Sequence, residues 1–377
     1  MIMSDMDRNL EAPNTPDNFE PNTQKHLLVQ FDLEINSVVR TVQAKNKFGV
    51  DGAGLSAAVF DTGLNSKHEC FAGRVIPGKN FSADGKGEND TDDIHGHGTN
   101  VAGLIAAKGI TGSADAREGI ATGASIVPVK VLPGNFNAVL RGLEWVLEVA
   151  GKTGISVVNL SLGAPGSNYV LDDFSGDQAA KSLQDAVKNL SDVNIPVVFA
   201  AGNDYFAFQA EGMSFPSIMR ECISVGAVYD AMVGSRAYQS GAIANSTHTD
   251  QMTPFSQRLS QELNQQCFTT IFAPGAVATS TGIGSATAIS TQDGTSQAAP
   301  TTSGVILLMQ QFVLRQSGRL PTVQFIKDCL RSGGVKIFDG DDEDDNVRNT
   351  NKTFLRLDAV AALLAAQSRL TLSAIAL

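Results

Sequence analysis

Asp293-Gly294-Thr295-Ser296-Gln297-Ala298-Ala299-Pro300 sets a serine between a Gly-Thr turn and a long apolar helical pattern, where a nucleophilic hydroxyl would stand exposed at the head of a helix. Two segments upstream supply what such a hydroxyl needs. Val59-Phe60-Asp61-Thr62-Gly63 ends a strand-like run on an aspartate, and His97-Gly98-Thr99-Asn100-Val101-Ala102-Gly103 opens a helical run with a histidine. A serine is a weak nucleophile until a base takes its proton, and the imidazole that takes it needs a buried anion to hold its tautomer. Ala200-Ala201-Gly202-Asn203 adds an amide that could donate to a developing oxyanion. The chemistry these residues spell is acyl transfer: Ser296 attacks, His97 acts as base and then acid, and Asp61 orients His97. Asn203 and the Ser296 backbone N–H hold the oxyanion.

Taken singly the segments are weak. Asp-Thr-Gly is a common turn, His-Gly a frequent helix cap, and Ala-Gly-Asn a plausible left-handed turn. Their joint occurrence in the order Asp, His, Ser, each at the end its element requires, is not ordinary turn chemistry, and the Gly-Thr-Ser-x-Ala-x-Pro string is specific alone. Together they resemble the subtilisin-like serine proteases (subtilases). Gly119-Ile120-Ala121-Thr122-Gly123-Ala124 and Phe272-Ala273-Pro274-Gly275 extend the likeness to roughly residues 50 to 365.

The resemblance implies a serine endopeptidase working on protein or peptide substrates through an acyl-enzyme on Ser296, with no organic cofactor. A transpeptidase on the same triad and a catalytically silent peptide-binding module are the rivals. It further implies that substrate pairs as an extended strand with Ser161-Leu162-Gly163, and that Asp204, Ser214 and Phe215 line the primary specificity pocket. That mixed polar and aromatic rim would accept large apolar side chains and occasionally basic ones, with broad specificity, and repel acidic ones. Asp84, Asp90, Asp92 and Asp93 crowd the loop before His97, where some thermostable relatives bind calcium, so this loop is a candidate for a calcium ion against the alternative of plain surface charge. His95 falls in the same loop. Three positions depart from the family pattern: Asn100 and Thr301 stand where many members carry histidine, outside the triad, and Cys70 replaces an aspartate that commonly binds calcium. A thiol is a poor ligand for that hard cation.

Placing these residues requires strand ends and helix starts to meet. Leu55–Phe60, Ile126–Leu132, Ile155–Leu160, Ile195–Ala200, Cys222–Val228 and Phe268–Phe272 read as strands that alternate with helical patterns. Unbroken apolar strands belong to a sheet covered on both faces, so the expected fold is α/β: a doubly wound, mostly parallel central sheet with helices on both faces. Ligands then bind beyond the carboxyl ends of the strands, where Asp61 and Asn203 fall. Residues 1–25, rich in Asn, Asp and Pro, read as a mobile arm, and 26–377 as one peptidase domain with a helical lead-in over 26–47. Insertions fall at 169–176, 232–250 and 339–349, the last an acidic stretch that reads as a solvated loop.

Composition narrows the partners. A net charge of −11 with no basic block argues against nucleic acid. No apolar run reaches membrane-spanning length, the nearest candidate being cut by Gln367, Ser368 and Arg369. The N-terminus shows no basic region followed by an apolar stretch, which reads as intracellular unless a secretion signal lies outside this sequence. Cys70, Cys222, Cys267 and Cys329 lack metal-site or redox spacing and read as buried thiols, against the alternative of disulfides in an oxidising compartment, for which three pairings are possible. The sequence sets no oligomeric state.

Overall fold

Apolar strands are stable only when both faces are covered, and the chain achieves this with one large sheet between two helical layers. The computed structural model describes residues 9–10, 35–109, 118–340 and 343–375. Its strands are β1 (Ser56–Asp61), β2 (Lys79–Asn80), β3 (Ser125–Lys130), β4 (Ile155–Leu160), β5 (Val197–Ala200), β6 (Ile223–Val228), β7 (Ile271–Pro274), β8 (Ala278–Thr281), β9 (Ile289–Gln292), β10 (Val335–Asp339) and β11 (Lys352–Arg356). The nine-stranded sheet runs in the order β10-β11-β7-β6-β5-β4-β1-β3-β2, parallel throughout except that β10 lies antiparallel to β11. A separate antiparallel hairpin joins β8 to β9.

The principal helices are α1 (Thr41–Phe48), α2 (His97–Ala106), α3 (Phe136–Thr153), α4 (Gln178–Asp192), α5 (Thr295–Ser317), α6 (Val323–Ser332) and α7 (Ala359–Ile375). Because side chains alternate along a strand, β1 sends Ala57 and Val59 into the core beneath α2 and α5, and Ala58 and Phe60 into the core beneath α3 and α4. β5 divides likewise, with Val198 and Ala200 on one face and Val197 and Phe199 on the other. These two cores fix the sheet from both sides, so the strand ends that carry Asp61 and Asn203 rest on rigid supports.

The six expected strands are all present, with ends shifted by up to three residues. The periodicity did not mark β2, β10 and β11, or the β8–β9 hairpin. Most of the arm expected over 1–25 lies outside the described residues, as does the lead-in before residue 35. Asn9–Leu10 pairs antiparallel with Gly134–Asn135, and Leu10 is buried. In the acidic stretch, Asp341 and Asp342 lie outside the described residues. Glu343 is not solvated: it is buried and accepts hydrogen bonds from the Met252 and Gly340 N–H groups. The four cysteines are buried as thiols. No described helix is long and apolar enough to cross a membrane.

Candidate active site

Asp61 closes β1 and His97 is the first residue of α2, so the strand end and the helix head face each other. His97 Nδ1 lies 2.8 Å from Asp61 Oδ1, which also accepts from the Thr62 N–H at 2.8 Å. A carboxylate can only accept, so Nδ1 carries the proton and Nε2 is left as the basic nitrogen. Nε2 is buried without a hydrogen-bond partner among the described residues. Burial alone pushes the His97 pKa down, but the charge and hydrogen bond of Asp61, helped by Asp93, outweigh it and raise the value above the ordinary one. The close fit depends on Gly98, where a Cβ would lie 2.3 Å from the Gly63 carbonyl oxygen and 3.0 Å from Asp61 Cβ.

A second carboxylate builds the helix head. Asp93 Oδ1 accepts from Thr62 Oγ1, His95 N–H and Gly96 N–H, each at 2.9 Å. Its Oδ2 accepts from Thr99 N–H at 2.9 Å and Thr99 Oγ1 at 2.7 Å. Thr62 Oγ1 in turn accepts from Gly98 N–H at 2.9 Å, so the residue after Asp61 is tied to the residue after His97. These roles escaped the sequence reading, although an aspartate just before a helix start is the usual capping signal.

Ser296 lies in the first turn of α5, where backbone N–H groups have no helical acceptor and are available to an oxyanion. Four residues on, Pro300 has no N–H to offer the Ser296 carbonyl. Ser161 Oγ takes that place, donating to Ser296 O at 2.7 Å, and is itself bonded by Asn159 Nδ2 at 3.0 Å. Asn159 Oδ1 accepts from Ser303 Oγ at 2.8 Å. In this resting arrangement Ser296 Oγ donates to the Ser161 carbonyl at 3.1 Å rather than to His97. The α2 and α5 heads are also laced together, since Gln297 Nε2 donates to Asn100 Oδ1 at 3.3 Å and Asn100 Nδ2 donates to Ser290 O at 2.8 Å. Asn100 thus holds the two heads in register, in place of the histidine of many relatives.

Asn203 Oδ1 accepts from both the Thr295 N–H and Thr295 Oγ1 at 2.9 Å, which settles the amide orientation and leaves Nδ2 as the free donor. Ser296 and Asn203 line a common cleft of about 460 Å³; Asp61 and His97 lie outside its lining. Leu162, Gly163, Asp204 and Ser214 also line it, whereas Ser161 is buried behind it. Phe215 does not line the cleft as expected. Its ring is fully buried against Phe136 and Phe174, with centroids 4.9 and 5.3 Å away, while Ser214 faces the cleft. Tyr238, Gln239, Ser240 and Phe255 line the cleft and were not anticipated.

The four aspartates considered for calcium do not converge. Asp84 pairs with the buried Lys130 at 2.8 Å; burial pushes its carboxyl up, but the bonds from Lys130, the Lys86 N–H and Asn80 hold it well below the usual range. Asp90 pairs with Lys86 and accepts from the Asp92 N–H, while Asp93 serves α2. Asp92 offers its carbonyl to Lys130. No group of three or more His, Cys, Asp or Glu side chains among the described residues could hold a metal ion. The donor set therefore does not fit a calcium cradle.

Known proteins resemble the chain in sequence and in fold. Residues 52–330 match the subtilase family profile. The chain is 32% identical over 204 residues to a major intracellular serine protease of Bacillus subtilis (strain 168), covering 52% of this chain and 58% of that protein. It is 33% identical over 265 residues to an extracellular serine proteinase of a Thermus species (strain Rt41A), covering 69% and 52%. The chain thus spans little more than half the length of these relatives. A solved cold-adapted subtilisin-like serine proteinase superposes with a TM-score of 0.58 at 26% identity, over 82% of this chain and 90% of that one. By sequence and by fold, the chain belongs to the subtilase family.

Proposed function

We propose that the chain is a serine endopeptidase that hydrolyses peptide bonds through an acyl-enzyme on Ser296. The observation that carries this reading is the buried 2.8 Å contact between His97 Nδ1 and Asp61, which leaves Nε2 as the basic nitrogen. In the first step Ser296 Oγ leaves the Ser161 carbonyl by rotating about its Cα–Cβ bond, gives its proton to His97 Nε2 and bonds to the scissile carbonyl carbon. The carbonyl electrons move to oxygen, where Asn203 Nδ2 and the Ser296 N–H receive the negative charge. Collapse breaks the C–N bond, and His97 returns its proton to the departing amine. Water then repeats the sequence, giving its proton to His97, forming the free acid and restoring Ser296. Resting hydrogen bonds of this kind often realign only when substrate binds, so the Ser296–Ser161 contact is compatible with catalysis.

Leu162 and Gly163 supply the rim on which an extended substrate would lie, and Ser214 and Asp204 the pocket for the residue before the cut. Asp204 disfavours an acidic side chain there. With Phe215 withdrawn into the core, apolar contact would come from Leu162, Ala164 and Pro165.

The test is a fluorophosphonate labelling assay paired with digestion of a diverse peptide library read by mass spectrometry, with and without an added amine. The parent should label and cleave, and Ser296→Ala should fold normally and do neither. Amine-ligated products in excess of hydrolysis would replace the reading with a transpeptidase. Tight peptide binding without labelling would replace it with a silent binding module.

A further inference from the structure

The insertion at 232–250 is not a slack loop. Arg236–Ala237 pairs antiparallel with Ile243–Ala244, and the tip is closed by hydrogen bonds from Tyr238 N to Ala242 O and from Gly241 N to Tyr238 O, both at 2.9 Å. Gly241 takes φ 91°, a left-handed value that suits glycine. The tip residues Tyr238, Gln239 and Ser240 line the same cleft as Ser296.

The hairpin is fastened on two sides. Toward the nucleophile, Arg236 Nη2 lies 2.9 Å from Asp293 Oδ2, an almost fully buried carboxylate three residues before Ser296. The Tyr238 hydroxyl lies 2.6 Å from that of Tyr229, and its ring meets Phe255 edge-on at 4.8 Å. Burial pushes both phenols above their ordinary pKa, so this bond stays intact at neutral pH. Away from the cleft, the insertion at 339–349 splints the hairpin. Ile243 N donates to Asn346 Oδ1 at 2.7 Å, Asn245 N to Asp344 O at 2.7 Å, and Ser246 Oγ to Asp344 Oδ2 at 3.0 Å. Asn346 Nδ2 donates to Gly241 O at 3.0 Å. A wall held in this way presents a fixed surface to a ligand.

We propose that the Arg236–Ala244 hairpin determines specificity for the residues that follow the scissile bond, selecting peptides with an apolar or aromatic side chain in the first two positions after the cut. This rests on the endopeptidase reading. With the acyl portion along Leu162–Gly163 and its carbonyl oxygen toward Asn203, the part of the cleft lining left for the leaving chain is the wall outside the assigned rim and pocket residues. That wall is Tyr238 to Ser240, Phe255 and Asp293. Its chemistry is an aromatic surface from Tyr238 and Phe255, exposed polar groups from Gln239 and Ser240, and an Asp293 charge already answered by Arg236.

The experiment compares the parent with Tyr238→Ala and Gln239→Ala on a peptide library randomised on both sides of the cut. Tyr238→Ala should lower the preference for aromatic over small residues after the cut by about fivefold, the scale of one aromatic contact, with the preference before the cut unchanged. Gln239→Ala sits at an exposed tip and leaves the core untouched. It should remove about threefold of the kcat/KM gained by extending a substrate beyond the cut, the scale of one hydrogen bond. A parent that neither labels nor cleaves sinks the peptidase reading and this proposal with it. A parent that cleaves, with the same profile after the cut in both variants, overturns the hairpin's role alone.

Discussion

Replacing Asp93 with alanine separates the scaffold of the site from its reacting atoms. The carboxylate is 8% exposed and accepts five hydrogen bonds, three of them from backbone N–H groups at the head of α2. Loss of a helix cap costs about 1–2 kcal/mol. Stranding two further buried donors adds about 1–3 kcal/mol each before relaxation. The Thr62 and Thr99 hydroxyls can turn to other acceptors, so the sum settles at about 3–4 kcal/mol and, for a chain of 377 residues, the thermal midpoint should fall by about 4–5 °C. Burial pushes the Asp93 pKa up, but the bonds from Gly96, Thr99 and His95 more than reverse it, leaving a net lowered value. The stabilisation is therefore present above the unfolded aspartate pKa of about 3.9 and is lost as pH falls through the lower folded value. The gap between variant and parent should accordingly close at acid pH. Through Thr62 and Gly98 the Asp61–His97 geometry should loosen as well, slowing fluorophosphonate inactivation by about ten- to a hundredfold. Calorimetry across pH and an inactivation time course measure both effects. A midpoint within about 2 °C of the parent together with an unchanged inactivation rate would refute the assignment.

Asn203→Ala should lower kcat by about a hundred- to a thousandfold with a smaller effect on KM, a magnitude carried over from a subtilisin oxyanion asparagine; a near-normal kcat in the purified variant would remove the donor from the mechanism. Because Asp61 raises the His97 pKa and the base must be neutral to accept a proton, the acid limb of kcat/KM should lie above the ordinary histidine value of about 6.5. A limb at or below that value in a pH–rate profile contradicts the geometry. Since Asp84 and Asp90 pair with lysines, Asp93 serves α2, and no group of three or more acidic, His or Cys side chains among the described residues could hold a metal, chelation should leave the melting midpoint unchanged, with calcium and magnesium re-addition as controls; a fall restored by calcium alone would show a cation site.

The residues proposed to carry the reaction were legible because acyl transfer calls for a nucleophile, a base and an orienting anion, and three short motifs supply those types in order. The resemblance implies a carboxylate at a strand end, a histidine at a helix head and a serine in a first turn, and Asp61 closes β1, His97 opens α2 and Ser296 lies in the first turn of α5. What supports them was less visible. Phe215 was assigned to the pocket by the resemblance, but its ring packs against Phe136 and Phe174 in the core, and nothing local in the sequence says which of Ser214 and Phe215 faces out. Asp93 was weighed as a metal ligand because carboxylates in a loop look alike until their donors are known. β2 has only two residues, and β10 and β11 bury alternate residues, so none of the three shows the unbroken apolar run by which the other strands were read. The 232–250 hairpin reads as an insertion, and its place in the cleft wall follows only from contacts with Asp293, Phe255 and the distant Asn346.

The octet around Ser296 also explains itself once the backbone is traced. A proline four residues after the nucleophile removes the one N–H that would hold the Ser296 carbonyl within the helix. The vacancy is filled from outside by Ser161 Oγ, while Ser296 Oγ rests on the Ser161 carbonyl, so the two serines are bonded to each other through both side chains. Ser161 adjoins Leu162 and Gly163, the rim assigned to substrate. The segment proposed to receive the peptide and the turn that carries the nucleophile are therefore one hydrogen-bonded unit, braced from below by Asn159 and Ser303. On the proposed reading, a strand docked on that rim would act on the hydroxyl's resting acceptor, tying substrate binding to the release of Ser296 Oγ toward His97.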